Sequence, residues 1–336
     1  MSSNHMIATF AALAAAAILS ALCIRAIHPL LIRYALARPN ARSSHKVPTP
    51  QGAGIAVIAA TLAVAGIALA WLAALTLTLW VLFGATVVIA TVGAIDDLRP
   101  MPVVPRLALQ ALCILAILIA LPADLQLAPA VPLWCERIVL LVAALWFVNL
   151  TNFMDGLDWI TVAEVVPVTA ALAVMGVAGT LSPPTALLAA ALCGAMLGFA
   201  PFNRPVAKMF LGDVGSLPIG LLLAWCLLQL ALADHLAAAI LLPLYYLFDA
   251  TVTLLRRMAR HEPFWLAHRS HFYQRATDNG FAVIDVVRSV FALNLALAAL
   301  AGLSIMFASS LADIILLIAG AAMTALVLRS FATGRG

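Results

Sequence analysis

The chain is a succession of long apolar runs separated by short polar stretches. Runs of this kind cover residues 6–24, 52–70, 74–95, 107–121, 137–148, 161–180, 184–201, 215–233, 236–255, 286–307 and 311–329. About 20 apolar residues carry a helix across a hydrocarbon core roughly 30 Å thick. Each run therefore predicts a membrane-spanning helix, about eleven in all, with 137–148 continuing into a polar motif. The first run has no Lys or Arg before it and no small-residue cleavage site after it, so it reads as a retained span and not as a signal peptide. No linker or repeat interrupts the pattern. The expectation is an all-α polytopic membrane protein with a single domain over 1–336.

Composition agrees with the pattern. Of 336 residues, 65% are hydrophobic and 10% charged, against roughly 25% charged in soluble domains; the mean hydropathy is +1.12. A net charge of +4 would suggest nucleic acid in a soluble protein, but here the basic residues sit in the loops. With the N-terminus placed outside, all of the 18 Lys and Arg residues except Arg137 fall on the inner side. That asymmetry follows the positive-inside rule, an odd number of spans then puts the C-terminus inside, and no nucleic-acid partner is expected. The five cysteines lie in or beside apolar runs without a C-x-x-C pair, and read as small hydrophobes.

The unusual chemistry lies in the inner loops, 25–51, 96–106, 149–160, 203–216 and 256–285. Its centre is Asn149-Leu-Thr-Asn152-Phe-Met-Asp155-Gly156-Leu157-Asp158. On a helix, side chains three apart lie within about 60° of each other, so neighbouring members should share a face. Carboxylates that close resist ionising together unless a cation or donors lie between them. The second loop opens with Asp96-Asp97 at a helix C-terminus, where a capping role is disfavoured and a divalent cation or proton acceptor is the better reading. Arg106 and Gln110 follow on one helix face. The fourth loop carries Asn203, Phe210 and Asp213, with Asp213 at the start of a helix, where an N-cap or a metal-bridged phosphate are both open. Arg42, His45 and Lys46 in the first loop, and His268, Arg269 and His271 in the fifth, suit an anionic phosphate. Asp249 falls inside an apolar run, so an internal partner or water must satisfy it. Carboxylates, arginines and histidines on one membrane face suit Mg²⁺ or Mn²⁺ with a phosphorylated substrate, and the membrane body implies a lipid.

In order along the chain, the Pro-Asn-x-Arg-Ser-x-His-x-x-Pro-Thr-Pro loop, Asp-Asp-Leu, Asn-x-x-Asn-x-x-Asp-Gly-x-Asp, Phe-Leu-Gly-Asp-x-Gly-Ser and a late histidine motif resemble the polyprenyl-phosphate N-acetylhexosamine-1-phosphate transferases. The late His-Arg-Ser-His-x-Tyr-Gln string resembles the O-antigen- or capsule-initiating branch and lacks the triple histidine of the peptidoglycan phospho-MurNAc-pentapeptide transferase. The resemblance implies transfer of sugar-1-phosphate from a UDP-N-acetylhexosamine to undecaprenyl phosphate, with release of UMP and a need for Mg²⁺ or Mn²⁺. It implies a multi-pass protein of the bacterial inner membrane with its N-terminus periplasmic and its site facing the cytoplasm. A homodimer is a candidate assembly. By the same resemblance Asp213 and Asp97 hold metal, and Asp96, Asp97, Asp155, His268 and His271 are catalytic. The resemblance also implies substrate contacts from Asn152, Gly156, Leu157, Asp158, Asn203 and Phe210, and the basic loops add Arg42, His45, Lys46 and Arg269 as expected substrate-binding residues.

The chain departs from the family pattern at Ala53 and at Trp159, each in place of glycine. An indole at Trp159 either narrows a sugar pocket or changes loop packing. Two other classes fit less well. A carrier would place ionisable residues at mid-span, where only Asp249 qualifies, and a phosphotransferase of CDP-alcohols would need an Asp-Gly-x-x-Ala-Arg string.

Overall fold

A computed structural model describes residues 3–37, 48–262 and 268–333, and these fold almost entirely into helices. The helices are α1 (Ser3–Tyr34), α2 (Gly54–Trp71), α3 (Leu77–Leu98), α4 (Val103–Ala120), α5 (Leu133–Met154), α6 (Ile160–Val177), α7 (Pro183–Phe199), α8 (Asp213–Leu232), α9 (Leu236–Leu241), α10 (Leu244–Ala259), α11 (Phe272–Asp278), α12 (Val283–Phe307) and α13 (Ser310–Thr333). Among the described residues, nine helices are long and apolar enough to cross a membrane, and α7 is an apolar helix of 17 residues. The protein is thus all-helical and polytopic.

Two expectations need correction. The first apolar run does not end near residue 24: α1 continues to Tyr34 across an internal proline, Pro29. The run 236–255 is not one helix, because α9 ends at Leu241 and α10 begins at Leu244 on the far side of Pro243. Proline has no N–H to donate and its ring crowds the carbonyl four residues back, which weakens the helix at Pro243, although α1, α6 and α8 run through prolines of their own.

After α1 a two-stranded antiparallel ribbon pairs Leu36 with Pro50 and Ala37 with Thr49. Arg42, His45 and Lys46 lie outside the described residues. The centre of the bundle is formed by α7 and α8, which are buried along most of their length, with α1, α2, α3, α5 and α6 around them. In lipid, helices gain little from burying apolar surface against each other, so close backbone packing at small residues takes over. A Cβ on Gly54 would lie 2.3 Å from the Gly215 Cα, and one on Gly93 only 2.4 Å from the Asp213 carbonyl oxygen. These glycines bring α2 and α3 against the first turn of α8, which places Gln51 and Asp97 beside Asp213. Buried polar groups elsewhere find partners across helices: Asn294 of α12 donates to Glu164 (2.7 Å) and to the Ala163 carbonyl (3.0 Å) of α6.

Candidate active site

The ends of α3 and α5, the starts of α6, α8 and α12, the ribbon and the segment 200–212 surround a cavity of about 1620 Å³. All five predicted loops reach it: Gln51 from the first, Asp97 from the second, Asn152 and 155–159 from the third, 203–207 and 210–213 from the fourth, and Gln274 and Ala282 from the fifth.

The carboxylates divide by role. Asp97 accepts from the backbone N–H of Asp213 (2.9 Å) and Val214 (3.1 Å) and from the Gln51 amide (3.0 Å). The first turn of a helix presents N–H groups without intrahelical partners and a positive dipole end, so an anion from α3 fits there. The end of α3 is an unfavourable place for acids within α3 itself, and the start of α8 offsets that. Asp96 accepts from the Met101 N–H (2.5 Å) and pairs with the Arg106 guanidinium (2.5 Å). The same guanidinium lies 3.8 Å from Asp213. Asp213 also accepts from the Asn152 amide (2.7 Å), whose N–H₂ reaches Ser216 Oγ at 2.9 Å.

The shared face expected for Asn149, Asn152, Asp155 and Asp158 splits. Each step of three residues turns the side chain by about 60°, and the turn accumulates. Asn149 therefore points to α4, where it donates to Gln110 (2.7 Å), while Asn152 points to α8. The helix ends at Met154, so Asp155 and Asp158 leave it altogether. Asp155 accepts from the Thr161 hydroxyl, and Asp158 accepts from the Ala207 N–H (2.9 Å).

Burial pushes the Asp155 carboxyl up to about 6, and the negative charges of Asp97 and Asp158 add to the rise. In an unfolded chain it would titrate near about 3.9. Since the folded value is the higher one, this group's stabilising contribution is full below about pH 4 and is lost as pH rises through 6. Asp155→Asn, neutral at every pH, is accordingly expected to melt above the parent at pH 7.5, without added divalent cation. That advantage should shrink as pH falls from 6 towards 4. Melting curves at the two pH values test it, and a pH-independent difference would contradict it.

Trp159 opens α6 in the left-handed region, φ +64°. Its N–H donates to Asn203 Oδ1 (2.7 Å) and its indole N–H to the Ala200 carbonyl (2.6 Å). Asn203 is buried and gives its own amide N–H to the Met209 carbonyl (3.0 Å), so both ends of that side chain hold protein. Phe210 reaches the cavity from a strand-like segment fixed by its N–H on the Pro50 carbonyl (2.8 Å).

The histidine segment sits behind the cavity. Asp249, fully buried, accepts from the backbone N–H of Phe272 (2.9 Å) and Tyr273 (3.1 Å) at the start of α11 and contacts His271 Nδ1 (3.3 Å). The partner that Asp249 required on the sequence is therefore a helix N-terminus. His268 bonds Ser270 (2.8 Å), and its ring centre is 4.9 Å from that of His271. Burial, then His271 and Arg257, pull its titration down to about 4, so it is neutral at physiological pH. Arg269 is engaged by Asp278 (3.0 Å) and Thr277 (3.2 Å). None of His268, Arg269 and His271 lines the cavity; Gln274 does. The segment also supports the cavity floor, because the Tyr273 hydroxyl donates to the Phe153 carbonyl (2.9 Å) directly against Gly156. A Cβ on Gly156 would lie 2.2 Å from that hydroxyl. Gly156→Ala is expected to displace Tyr273 and lower activity about tenfold or more, with partial recovery in Gly156→Ala/Tyr273→Phe. Equal activity of parent and single variant would contradict this contact.

Among the described residues no three His, Cys, Asp or Glu side chains are grouped as a metal cage. A Mg²⁺ site does not need one, since that ion keeps waters and takes one or two carboxylates together with substrate phosphates. Asp97, Asp155 and Asp213 all line the cavity, and their mutual crowding suits such an ion. Arg106, Gln51, Thr161 and Tyr273 were not singled out as site residues on the sequence. Of these, Arg106 carries a signal in the sequence as a cation sharing a helix face with Gln110 just after the acidic pair, and Tyr273 as the tyrosine of the His-Arg-Ser-His-x-Tyr-Gln string.

Comparison with known proteins fits this geometry. Residues 79–231, running from α3 into α8, match the family model described as Glycosyl transferase family 4. The chain is 26% identical over 305 residues to the probable undecaprenyl-phosphate N-acetylglucosaminyl 1-phosphate transferase of Bacillus subtilis, covering 82% of either chain. It is 30% identical over 212 residues to the decaprenyl-phosphate N-acetylglucosaminephosphotransferase of Mycobacterium leprae, covering 56% of this chain and 53% of that one. A shorter stretch of 72 residues is 46% identical to the phospho-N-acetylmuramoyl-pentapeptide-transferase of Heliobacterium modesticaldum, 22% of that protein's length.

Proposed function

We propose a reaction that starts from the family: this chain belongs to glycosyl transferase family 4, the polyprenyl-phosphate N-acetylhexosamine-1-phosphate transferases. It transfers N-acetylhexosamine-1-phosphate from a UDP-sugar to undecaprenyl phosphate. An oxygen of the lipid phosphate forms a bond to the β-phosphorus of the donor, the bond to the α-phosphate oxygen breaks, and UMP leaves with the electron pair. The observation that carries this reading is the meeting of Asp97, Asp155 and Asp213, with Arg106 beside them, at the mouth of a membrane helix bundle.

In phosphoryl transfer the protein mostly positions groups and balances charge. A phosphate monoester with a second pKa near about 6 is already largely dianionic at neutral pH, so the lipid nucleophile needs placing more than deprotonating. Arg106, 3.8 Å from Asp213, is the cation this reading assigns to it, and Asp96 fixes the guanidinium by its short ion pair. Asp97 docks the first turn of α8 and so sets the position of Asp213. Mg²⁺ or Mn²⁺, held by Asp213 with Asp97 and Asp155 nearby, would neutralise the diphosphate oxygens. Leu157 and Phe210 offer the apolar walls for the uridine, and Gly156 admits close approach to the backbone. Arg42, His45 and Lys46 are further phosphate contacts in this reading, whereas His268 and His271 act through the α11 segment.

The apolar runs support about eleven spans if α9 and α10 together make one broken at Pro243, and the positive-inside count supports a periplasmic N-terminus, a cytoplasmic C-terminus and a site facing the cytoplasm of a bacterial inner membrane. The product would start an O-antigen, capsule or related surface glycan, and a homodimer is the proposed assembly. A carrier function is disfavoured, because Asp249, the mid-span acid that would favour it, is spent on the start of α11. Purified protein with undecaprenyl phosphate and a panel of UDP-amino sugars tests the reading. UMP release should require both the lipid and Mg²⁺ or Mn²⁺ and stop with EDTA; no release from any donor would overturn it.

A further inference from the structure

Trp159 occupies a left-handed backbone conformation that is strained for an L side chain and that glycine adopts freely. Such strain persists only where the surroundings repay it, and here the side chain and its neighbours do so by tying one loop to another. The indole N–H reaches the Ala200 carbonyl at 2.6 Å, immediately beyond the end of α7. The Trp159 backbone N–H reaches Asn203 Oδ1 at 2.7 Å, and Asn203 in turn holds the Met209 carbonyl at 3.0 Å. Asp158, the preceding residue, accepts from the Ala207 N–H at 2.9 Å. The segment 200–211 is thereby suspended from Asp158 and Trp159 on one side. On the other it is held by Pro50 and Gly52, which bond the Phe210 main chain at 2.8 and 3.1 Å. This segment forms one whole wall of the cavity and carries Arg204, Ala207 and Phe210 onto it. Such a wall needs fixing from outside, because it has no helix or strand of its own between α7 and α8.

We infer that Trp159 is a positioning residue for the donor: its indole pins the segment 200–211 as a preformed wall, so that the nucleotide sugar meets a pocket already in place. The inference rests on the transferase reading for its kinetic consequence, though not for the strut itself. Ordering a loop in advance removes that cost from binding. Loss of the pin therefore weakens donor capture and leaves the lipid site, on the Arg106 side, untouched.

The full-length protein in detergent provides the test, with Trp159→Gly as the first variant. Glycine relieves the backbone strain, so the fold should persist with an unchanged melting temperature. Trypsin is the first readout: Lys208 is exposed and followed by Met209, whereas the bond after Arg204 precedes proline and resists cleavage. Cleavage between 208 and 209, read by mass spectrometry of the two fragments, should accelerate about tenfold, and an unchanged rate overturns the strut. Kinetics are the second readout: donor KM should rise about tenfold, with kcat within threefold and lipid KM constant. A parallel rise of both KM values, or a fall in kcat alone, overturns the donor role. Trp159→Phe keeps the ring and loses the N–H, and it should show both effects at reduced size; it carries the test if the glycine variant does not fold. If the parent itself transfers nothing, the transferase reading fails while the trypsin comparison still decides the strut.

Discussion

Asp213→Asn is expected to lower sugar-phosphate transfer about 10³-fold or more while leaving the protein folded. The side chain sits at the first turn of α8, bonded by the Asn152 amide and faced by Arg106. It is the carboxylate on which the two halves of the site meet: Asn152 comes from the central motif, and Asp97 fixes the backbone of the same residue. An asparagine keeps the shape and a hydrogen-bond acceptor but removes the charge. Deleting one preorganised charge-stabilising group in a dry site costs about 10²–10³-fold in other enzymes, and here the same change also removes the main proposed ligand for Mg²⁺. Stability should not suffer, because the substitution takes one anion away from the crowd formed with Asp96 and Asp97. Turnover measured beside a melting curve in detergent checks both halves. More than a tenth of parental turnover would remove Asp213 from the centre of the site.

The second large effect is on structure. Asp249→Ala leaves the Phe272 and Tyr273 N–H groups and His271 without their buried acceptor. Each buried donor left unsatisfied costs about 1–3 kcal/mol, so a loss of about 3 kcal/mol or more is expected, read as a fall of several degrees in melting temperature. The damage should travel to the site. With the start of α11 loosened, Tyr273 no longer holds the Phe153 carbonyl beside Gly156, and activity should fall with it. Asp249→Asn, which retains one acceptor oxygen, should lie between parent and alanine variant. Faster amide exchange at Phe272 and Tyr273 in the alanine variant would confirm the route; a stability loss under about 1 kcal/mol would contradict it.

Much of this organisation is legible in the sequence because it is local. The spans follow from apolar runs, and a chain without alternating patterns leaves helices as the way to satisfy a backbone in lipid. Asp213 at a helix start can be read from its flanking glycines, and the demand of Asp249 for an internal partner from its place in an apolar run. The break at Pro243 is not legible in the same way, because Pro167 and Pro218 lie inside equally apolar runs and α6 and α8 continue through them. What could not be read is who meets whom. Asp97 caps a helix that begins 116 residues later, Asn203 closes on Trp159 across 44, and Tyr273 presses on Gly156 from the far end of the chain. Those pairings depend on how helices stack, which no single stretch encodes. The face that neighbouring members of Asn149, Asn152 and Asp155 are expected to share is lost for a different reason: three-residue spacing drifts around a helix, and the helix ends before the motif does.

The central claim is attack on the β-phosphorus of the donor by the lipid phosphate, and its most direct test follows the phosphorus itself. Purified protein, undecaprenyl phosphate and Mg²⁺ are supplied with whichever UDP-N-acetylhexosamine releases UMP, labelled with ³²P at the β position. The account predicts that the label moves into the solvent-extractable lipid in step with unlabelled UMP. UMP formed while the label stays in the aqueous phase would contradict it.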